Sequence, residues 1–303
     1  RDLLIKTGRN TAASLDFYIN GLSNPETMYL FLDLKKSQTT ITDLSRIRLP
    51  AKNGKTYLKF PEAFYDSGLL TYEGNFTGFL SDFVAYGTLT SEMGNLTTDI
   101  SVVPDEKGRT IYRVEVATNN FKLGDLFQME SVGEITFDGS VDGFFDRENN
   151  SVAGAFEGDI FKVDINGYTY KNIELDGLMN NRMFDGLIIM EDPNLQFNFL
   201  GKMNFNPEIP VFDFKLDLEK ALPGNLTLSK SFPKSEIAFS MNANFSGDKI
   251  DNLAGNISVE NGTYKNRNGQ LNLEGLELQS ITGDSINYLT FTSDFFDIKI
   301  NGN

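Results

Sequence analysis

From Leu195 to Phe205 the chain reads LQFNFLGKMNF, with Leu195, Phe197, Phe199, Met203 and Phe205 at every second residue and Gln196, Asn198, Lys202 and Asn204 between them. A period of two sends alternate side chains to opposite faces of an extended strand, so this segment reads as a strand with one apolar and one polar face. The pattern returns at Tyr112, Val114 and Val116, at Ile135, Phe137 and Val141, and at Phe161, Val163 and Ile165. It returns again at Phe212, Phe214, Leu216 and Leu218, and at Ile237, Phe239, Met241 and Phe245. Strands buried on both faces of a parallel sheet read as continuous apolar runs, so the alternation selects antiparallel strands with one solvated face. In LNLEGLELQ the apolar phase slips from Leu271 and Leu273 to Leu276 and Leu278, which predicts a bulge at Glu274 and Gly275. Asn-Gly turn chemistry, as in ENGTYKN, RNGQ and DINGY, separates the strands.

Three segments break the strand pattern: DLSRI from Asp43, DLFQM from Asp125 and DLEKAL from Asp217. Each opens on an Asp suited to cap a helix and follows a strand-like run, which predicts three short helical turns. Their spacings of 82 and 92 residues, with a Phe-x-Gly hairpin motif at Phe76, Phe137 and Phe245, read as a degenerate long repeat. The chain is then one continuous repeat segment, 1–303, with quasi-repeats at about 28–110, 111–205 and 206–303. Stacked repeats of this kind build quasi-one-dimensional sheets with one continuous apolar surface. The expected fold is all-β: an elongated, curved antiparallel sheet forming a U-shaped hydrophobic trough, with a few short helical turns.

The composition excludes several chemistries. A net charge of −15 opposes binding to nucleic acid, which needs clustered Lys and Arg to displace counterions. There is no Cys and no His, so disulfides, thiolate nucleophiles, zinc-thiolate sites and the commonest general base are all missing. No nucleophile elbow, phosphate loop or dinucleotide fingerprint occurs. DGSVDGFFDREN imitates a calcium loop with Asp138, Ser140, Asp142 and Gly143, but Asn149 stands where a bidentate Glu is required, and turn-forming Asp-Gly pairs are the simpler reading. Carboxylate pairs such as Asp82 with Glu92, or Asp213 with Asp217, read as surface charge rather than a glycosidase dyad. The Asn-x-Ser/Thr sites at Asn75, Asn95, Asn149, Asn225, Asn244, Asn256 and Asn261 read as turn composition at strand ends. No enzyme activity, metal or cofactor is expected.

No run of about 18 apolar residues occurs, and RDLLIKTGRN lacks the apolar centre of a signal peptide. The chain reads as an excised segment whose targeting signal or anchor lies outside it.

The stretches FKLGDLFQMESVGEITFDGSVDG (Phe121 to Gly143), VDINGYTYKNIELDG onward (Val163 to Leu222) and GDKIDNLAGNISVENGTYKN together resemble the repeating region of the TamB and AsmA-like family of Gram-negative envelope proteins, over most of the chain from about Met28. The resemblance implies a periplasmic chain tethered to the inner membrane by a helix outside this segment, with a β-groove that carries phospholipid between the inner and outer membranes. In the TamB branch it also implies support of outer-membrane protein assembly with a barrel partner of the TamA or BamA kind. On this reading the partners are phospholipid acyl chains, and the lining residues are Val114, Val116, Ile135 and Phe137; Phe161, Val163 and Ile165; Leu195, Phe197, Phe199 and Phe205; Phe212, Phe214 and Leu216; and Ile237, Phe239, Met241 and Phe245. The same alternation also fits an adhesin-like interaction domain with a dry core, the core of an ordinary β-sandwich, or an outer-membrane barrel. The lack of Trp and the many charged residues weigh against the barrel.

Overall fold

The computed structural model describes residues 3–21, 27–51, 54–228, 234–249, 252–282 and 287–302. The fold is all-β: eighteen strands belong to antiparallel sheet that is not closed into a barrel, and two more form a separate hairpin. The chain divides into two compact units, Arg1–Val152 with Ile160–Asn166, and Ala153–Asp159 with Gly167–Asn303.

In the first unit the strands are β1 (Leu3–Thr7), β2 (Thr11–Asn20), β3 (Tyr29–Thr39), the hairpin β4 (Arg48–Ala51) and β5 (Gly54–Tyr57), then β6 (Leu70–Phe79), β7 (Asp82–Ser91), β8 (Gly94–Pro104), β9 (Thr110–Lys122) and β10 (Val132–Asp146). Strand β11 (Ser151–Ile165) is divided between the units. The second unit continues with β12 (Tyr168–Asn180), β13 (Met183–Asp192), β14 (Leu195–Asn204), β15 (Val211–Ala221), β16 (Glu236–Ser246), β17 (Ala254–Asn266), β18 (Gly269–Thr282), β19 (Asn287–Ser293) and β20 (Asp297–Gly302). In the first unit the ladder runs β1 to β2 to β3 to β6 and on to β10, and in the second it runs β12 through to β20, every step antiparallel. Each strand thus pairs with its neighbours in sequence, apart from the excursion between β3 and β6. Alternating one-faced segments joined by tight turns favour this meander.

That excursion holds α1 (Ile41–Leu44) and a 3₁₀ turn (Glu62–Asp66), while α2 (Leu123–Phe127) separates β9 from β10. Two of the three expected helical turns are therefore present, at Asp43 and Asp125. The expected caps are not. Thr40 caps α1, its Oγ1 accepting from the Asp43 N–H at 3.2 Å, and Lys122 stands at the N-cap of α2 with no side-chain cap. The third expected turn, at Asp217, is corrected: Asp217 lies inside β15, opposite Ser240. Asp213, Asp217 and Glu219 alternate there with Phe214, Leu216 and Leu218, and the strand period overrides a helix start. The chain turns only later, where the Leu226 N–H donates to Leu222 O and the Leu228 N–H to Pro223 O.

A small core of the first unit sits near the strand ends. In the first unit Ile41, Ala63, Leu70, Met93, Phe121 and Ile135 are buried, and α1, α2 and the 3₁₀ turn pack together there against β10. The ladder changes register nearby. Between Leu34 and Ser37 strand β3 carries the extra residue against β6, and Asn119 and Asn120 of β9 oppose the single Thr136, with Asn120 at φ 49°. A bulge bends its strand and sharpens the local twist. In the second unit β15 carries the extra residue after Leu218, and β17 carries one at Asn261, whose φ is 53°.

The bulge expected at Glu274 and Gly275 is not on β18: Glu260 pairs with Gly275 and Gly262 with Leu273, with Asn261 and Glu274 each skipped, so β17 and β18 keep their register, and the extra residue lies on β17 against β16. The amides of Glu274 and Gly275 donate instead to Asp294 Oδ2, at 2.5 and 3.3 Å.

Candidate functional site

Residues directly opposite in an antiparallel ladder point to the same face, so the registers alone assign the faces. In the second unit four successive rows cross β13 to β16. They are Met190, Phe197, Leu218 and Phe239; then Ile188, Phe199, Leu216 and Met241; then Gly186, Gly201, Phe214 and Ala243; then Phe184, Met203, Phe212 and Phe245. The apolar rows continue onto β17 and β18 through Val259 with Leu276 and Ile257 with Leu278. They end on β19 and β20 with Phe291 opposite Ile298 and Leu289 opposite Ile300. The rings touch across strands: Phe199 and Phe214 at 5.0 Å, Phe184 and Phe199 at 6.1 Å, and Phe212 stacked on Phe245 at 4.8 Å between centroids. Such pairs add about 0.5–1.5 kcal/mol each beyond the area they cover.

The first unit repeats the arrangement with more hydroxyls. Phe76, Ala85, Ile100, Val114 and Val141 form one row from β6 to β10, and Phe83, Val102 and Tyr112 form its neighbour. On the other side Gly74, Gly87, Thr98 and Val116 line up, followed by Tyr72, Leu89, Leu96, Thr118 and Phe137. Burial pushes the Tyr72 and Tyr112 phenols up, as expected where the face around them holds little water.

The sequence-expected lining residues largely meet on these two faces. Val114, Val116 and Phe137 share the face of the first unit, and Leu195, Phe197, Phe212, Phe214, Leu216, Ile237, Phe239, Met241 and Phe245 share that of the second, all half-buried. Several depart from the expectation. Phe161 is 53 % exposed beside the buried Val163, so Phe161, Val163 and Ile165 do not form one buried row, and only Ile165 is half-buried. Val163 and Ile135 are buried rather than open lining, and Ile135 pairs with the buried Phe121 beyond the β9 bulge. Phe199 is 7 % exposed, held between Phe184 and Phe214. Phe205 lies past the end of β14 with its ring 5.6 Å from Phe212.

Residues outside the expected set complete the faces, among them Leu32, Phe76, Phe83, Phe184, Ile188 and Leu276. The same period-two signal marks them. It is less visible because Gly74, Gly78, Gly186 and Gly201 interrupt the apolar series.

The rows are covered unevenly. The chain exposes 19519 Å², against about 12,800 Å² for a compact chain of 33.9 kDa. The apolar faces are therefore not folded away inside a conventional core, and the fully buried apolar residues stay few.

The opposite faces are polar and carry the two hollows. One, of about 740 Å³, lies behind Gly74 and Gly87 and is lined by Asp33, Glu73, Asp99, Glu115 and Asp138 with Tyr86 among them. The other, of about 560 Å³, lies behind Gly201, between Asp185 and Glu277. Their linings also take in one row of each apolar face, Thr98 and Val116 in the first and Phe214 and Ala243 in the second. We take the rows as the candidate site because apolar area, not polar concavity, is the unusual feature of this chain.

The remaining sequence motifs resolve as structure. Asp138, Ser140 and Asp142 lie inside β10 opposite Ala117, Glu115 and Arg113, so the Asp-Gly pairs are strand rather than turn, and Asp142 Oδ1 accepts from Arg113 Nε at 2.7 Å. Asp82 begins β7 and Glu92 follows its end, too far apart to act together. Asn75, Asn244 and Asn256 lie within strands, not at their ends. No group of three or more metal-ligating side chains occurs among the described residues. Among them, too, no helix is long and apolar enough to cross a membrane.

No protein-family model, curated protein or solved structure matches this chain.

Proposed function

We propose that this chain is a lipid-handling segment of a Gram-negative envelope protein, whose apolar rows hold phospholipid acyl chains in transit between the inner and outer membranes. The observation that carries the reading is the register-matched apolar face of the second unit, continuous from β12 to β20. Each buried methylene of an acyl chain contributes about 0.8 kcal/mol. A chain laid along several rows is thus held firmly in sum and loosely at each step, as transfer requires.

The likeness of the quoted stretches to the TamB and AsmA-like repeating region supports the same reading. It extends the proposal to a periplasmic location, an inner-membrane tether outside this segment and support for outer-membrane assembly with a barrel partner. The residues serve this role by packing and exclusion of water, without catalysis.

The test is mass spectrometry of lipids carried by the purified 303-residue chain after expression in a Gram-negative host. Phospholipid at a reproducible molar ratio is expected. A lipid-free chain whose apolar rows are covered by self-association would replace the proposal with a dry interaction domain.

A further inference from the structure

On the polar face of the second unit, two rows of side chains cross the hollow behind Gly201. One runs Asp185, Lys202, Asp213, Asn244, Asn256 from β13 to β17, and the other runs Leu200, Lys215, Asn242, Ser258, Glu277 from β14 to β18. We propose that this hollow binds a neutral, hydroxyl-rich chain, an oligosaccharide of hexose units.

The first argument is unspent bonding capacity. Lys202 is paired to Asp185 at 3.2 Å, but beyond the backbone ladder the side chains of Asp213, Lys215, Asn242, Asn244, Asn256 and Ser258 make no hydrogen bond or ion pair with another described residue, although they face one another across the strands. Cross-strand hydroxyl and opposite-charge pairs stabilise a sheet when they bond to each other. Here amides stand opposite an amide and a hydroxyl and leave both donors and acceptors free. A ligand that satisfies such a grid must itself both donate and accept at short intervals, which hydroxyl groups do. Strands spaced about 4.8 Å apart repeat that chemistry along a line perpendicular to them.

The second argument is charge. Two lysines against three carboxylates, with amides between, give no net field for a phosphate and no cluster for a metal ion. The third is shape. About 560 Å³ falls within the range of small-ligand sites. Leu200, 58 % exposed at one end of its row, offers an apolar patch to the C–H side of a sugar ring.

The test is NMR titration of the side-chain amides of the 303-residue chain with maltotetraose, cellotetraose and the β-1,4-linked tetramer of N-acetylglucosamine, each to about 10 mM, roughly ten times a dissociation constant of about 1 mM. At least one should shift the amide signals saturably. Asn244→Ala and Asn256→Ala should each weaken that binding about tenfold, the loss of a hydrogen bond or two. Thr97→Ala, on the polar face of the other unit, should leave it unchanged. Absence of any shift with all three sugars overturns the proposal, as does an equal response to inorganic phosphate or unchanged affinity in both variants. The two variants lie on different strands, so misfolding of one leaves the other informative. Because the sugar titration reads the polar face and lipid analysis reads the apolar face, either proposal can fail alone.

Discussion

Phe214 stands directly across the ladder from Gly201, and a Cβ at Gly201 would lie 2.7 Å from the Phe214 Cβ. The glycine sits at φ +147°, a conformation that side chains rarely adopt, and an added Cβ would also meet the Asp213 carbonyl oxygen and, at 2.5 Å, the Phe214 Cα. Gly201→Ala should therefore lose about 1–3 kcal/mol from strain and overlap together. Gly275 differs: its φ is unremarkable and nothing lies within 4 Å of an added Cβ. Gly275→Ala should be neutral or gain about 0.4–1 kcal/mol. Urea midpoints of the two variants check the contrast.

Charge on the apolar face separates lipid binding from folding. Phe214 is half-buried, so in Phe214→Arg the guanidinium can bend toward water. The fold should persist while bound lipid is lost. Leu178→Arg, on the polar face of the same unit, should keep both. Far-ultraviolet circular dichroism with lipid analysis of the three proteins decides it. Loss of lipid from both variants would speak against the face assignment.

Phe199 tests packing instead. Its burial between Phe184 and Phe214 predicts that Phe199→Ala costs about 3–5 kcal/mol, the usual range for removing a buried ring. A denaturant midpoint shifted by far less would mean that the neighbouring rings collapse into the gap.

Asp192 is fully buried and takes the Tyr168 hydroxyl at 2.5 Å and the amides of Lys171 and Asn194 at 3.1 and 2.8 Å. Asn194 in turn donates to Tyr168 Oη and accepts from Asn225, both at 2.8 Å, tying the β13–β14 turn to the chain after β15. Asp192→Ala strands these donors, and a loss of about 1–3 kcal/mol is expected for each one left unsatisfied. Limited proteolysis should then cut first near residues 222–228, detected by mass.

The same network sets an alkaline limit. Burial, and then the Asp192 carboxylate, push the Tyr168 phenol above its ordinary value of 10.0, and burial does the same at Tyr170. A raised phenol favours the folded state while protonated. That stability is complete below about pH 10 and is lost as pH rises through the folded values. Absorbance titration should show these tyrosines ionising late, with unfolding as they do; Asp192→Asn should lower the Tyr168 value.

The strands, their antiparallel sense and most members of the apolar faces are legible in the sequence, because a period of two leaves a side chain no choice of face. Three features escape it. At Asp217 a helix-cap residue lies inside a strongly alternating strand, and the ladder prevails over local preference. At Phe161 the inward phase changes within an alternating segment, between Lys162 and Val163, where the sequence pattern itself continues unbroken. The bulges at Asn120 and Asn261 depend on what the partner strand offers, which a single strand does not record. The polar hollows are equally hidden, since Asn244 and Asn256 become neighbours only when β16 and β17 pair.

Within each unit, nearly every strand finds its partner in the next one along the chain. No stretch needs to wait for a distant one, so the loops closed at each step stay short and ordering proceeds by addition of hairpins. Ordering in such a chain can begin at any hairpin and spread to its neighbours. Arrays built this way also tolerate gain or loss of a whole hairpin, since the seam left behind joins two strands of the right sense. The extent of the apolar face thus becomes a heritable variable, adjustable in steps of two strands without redesign of the rest.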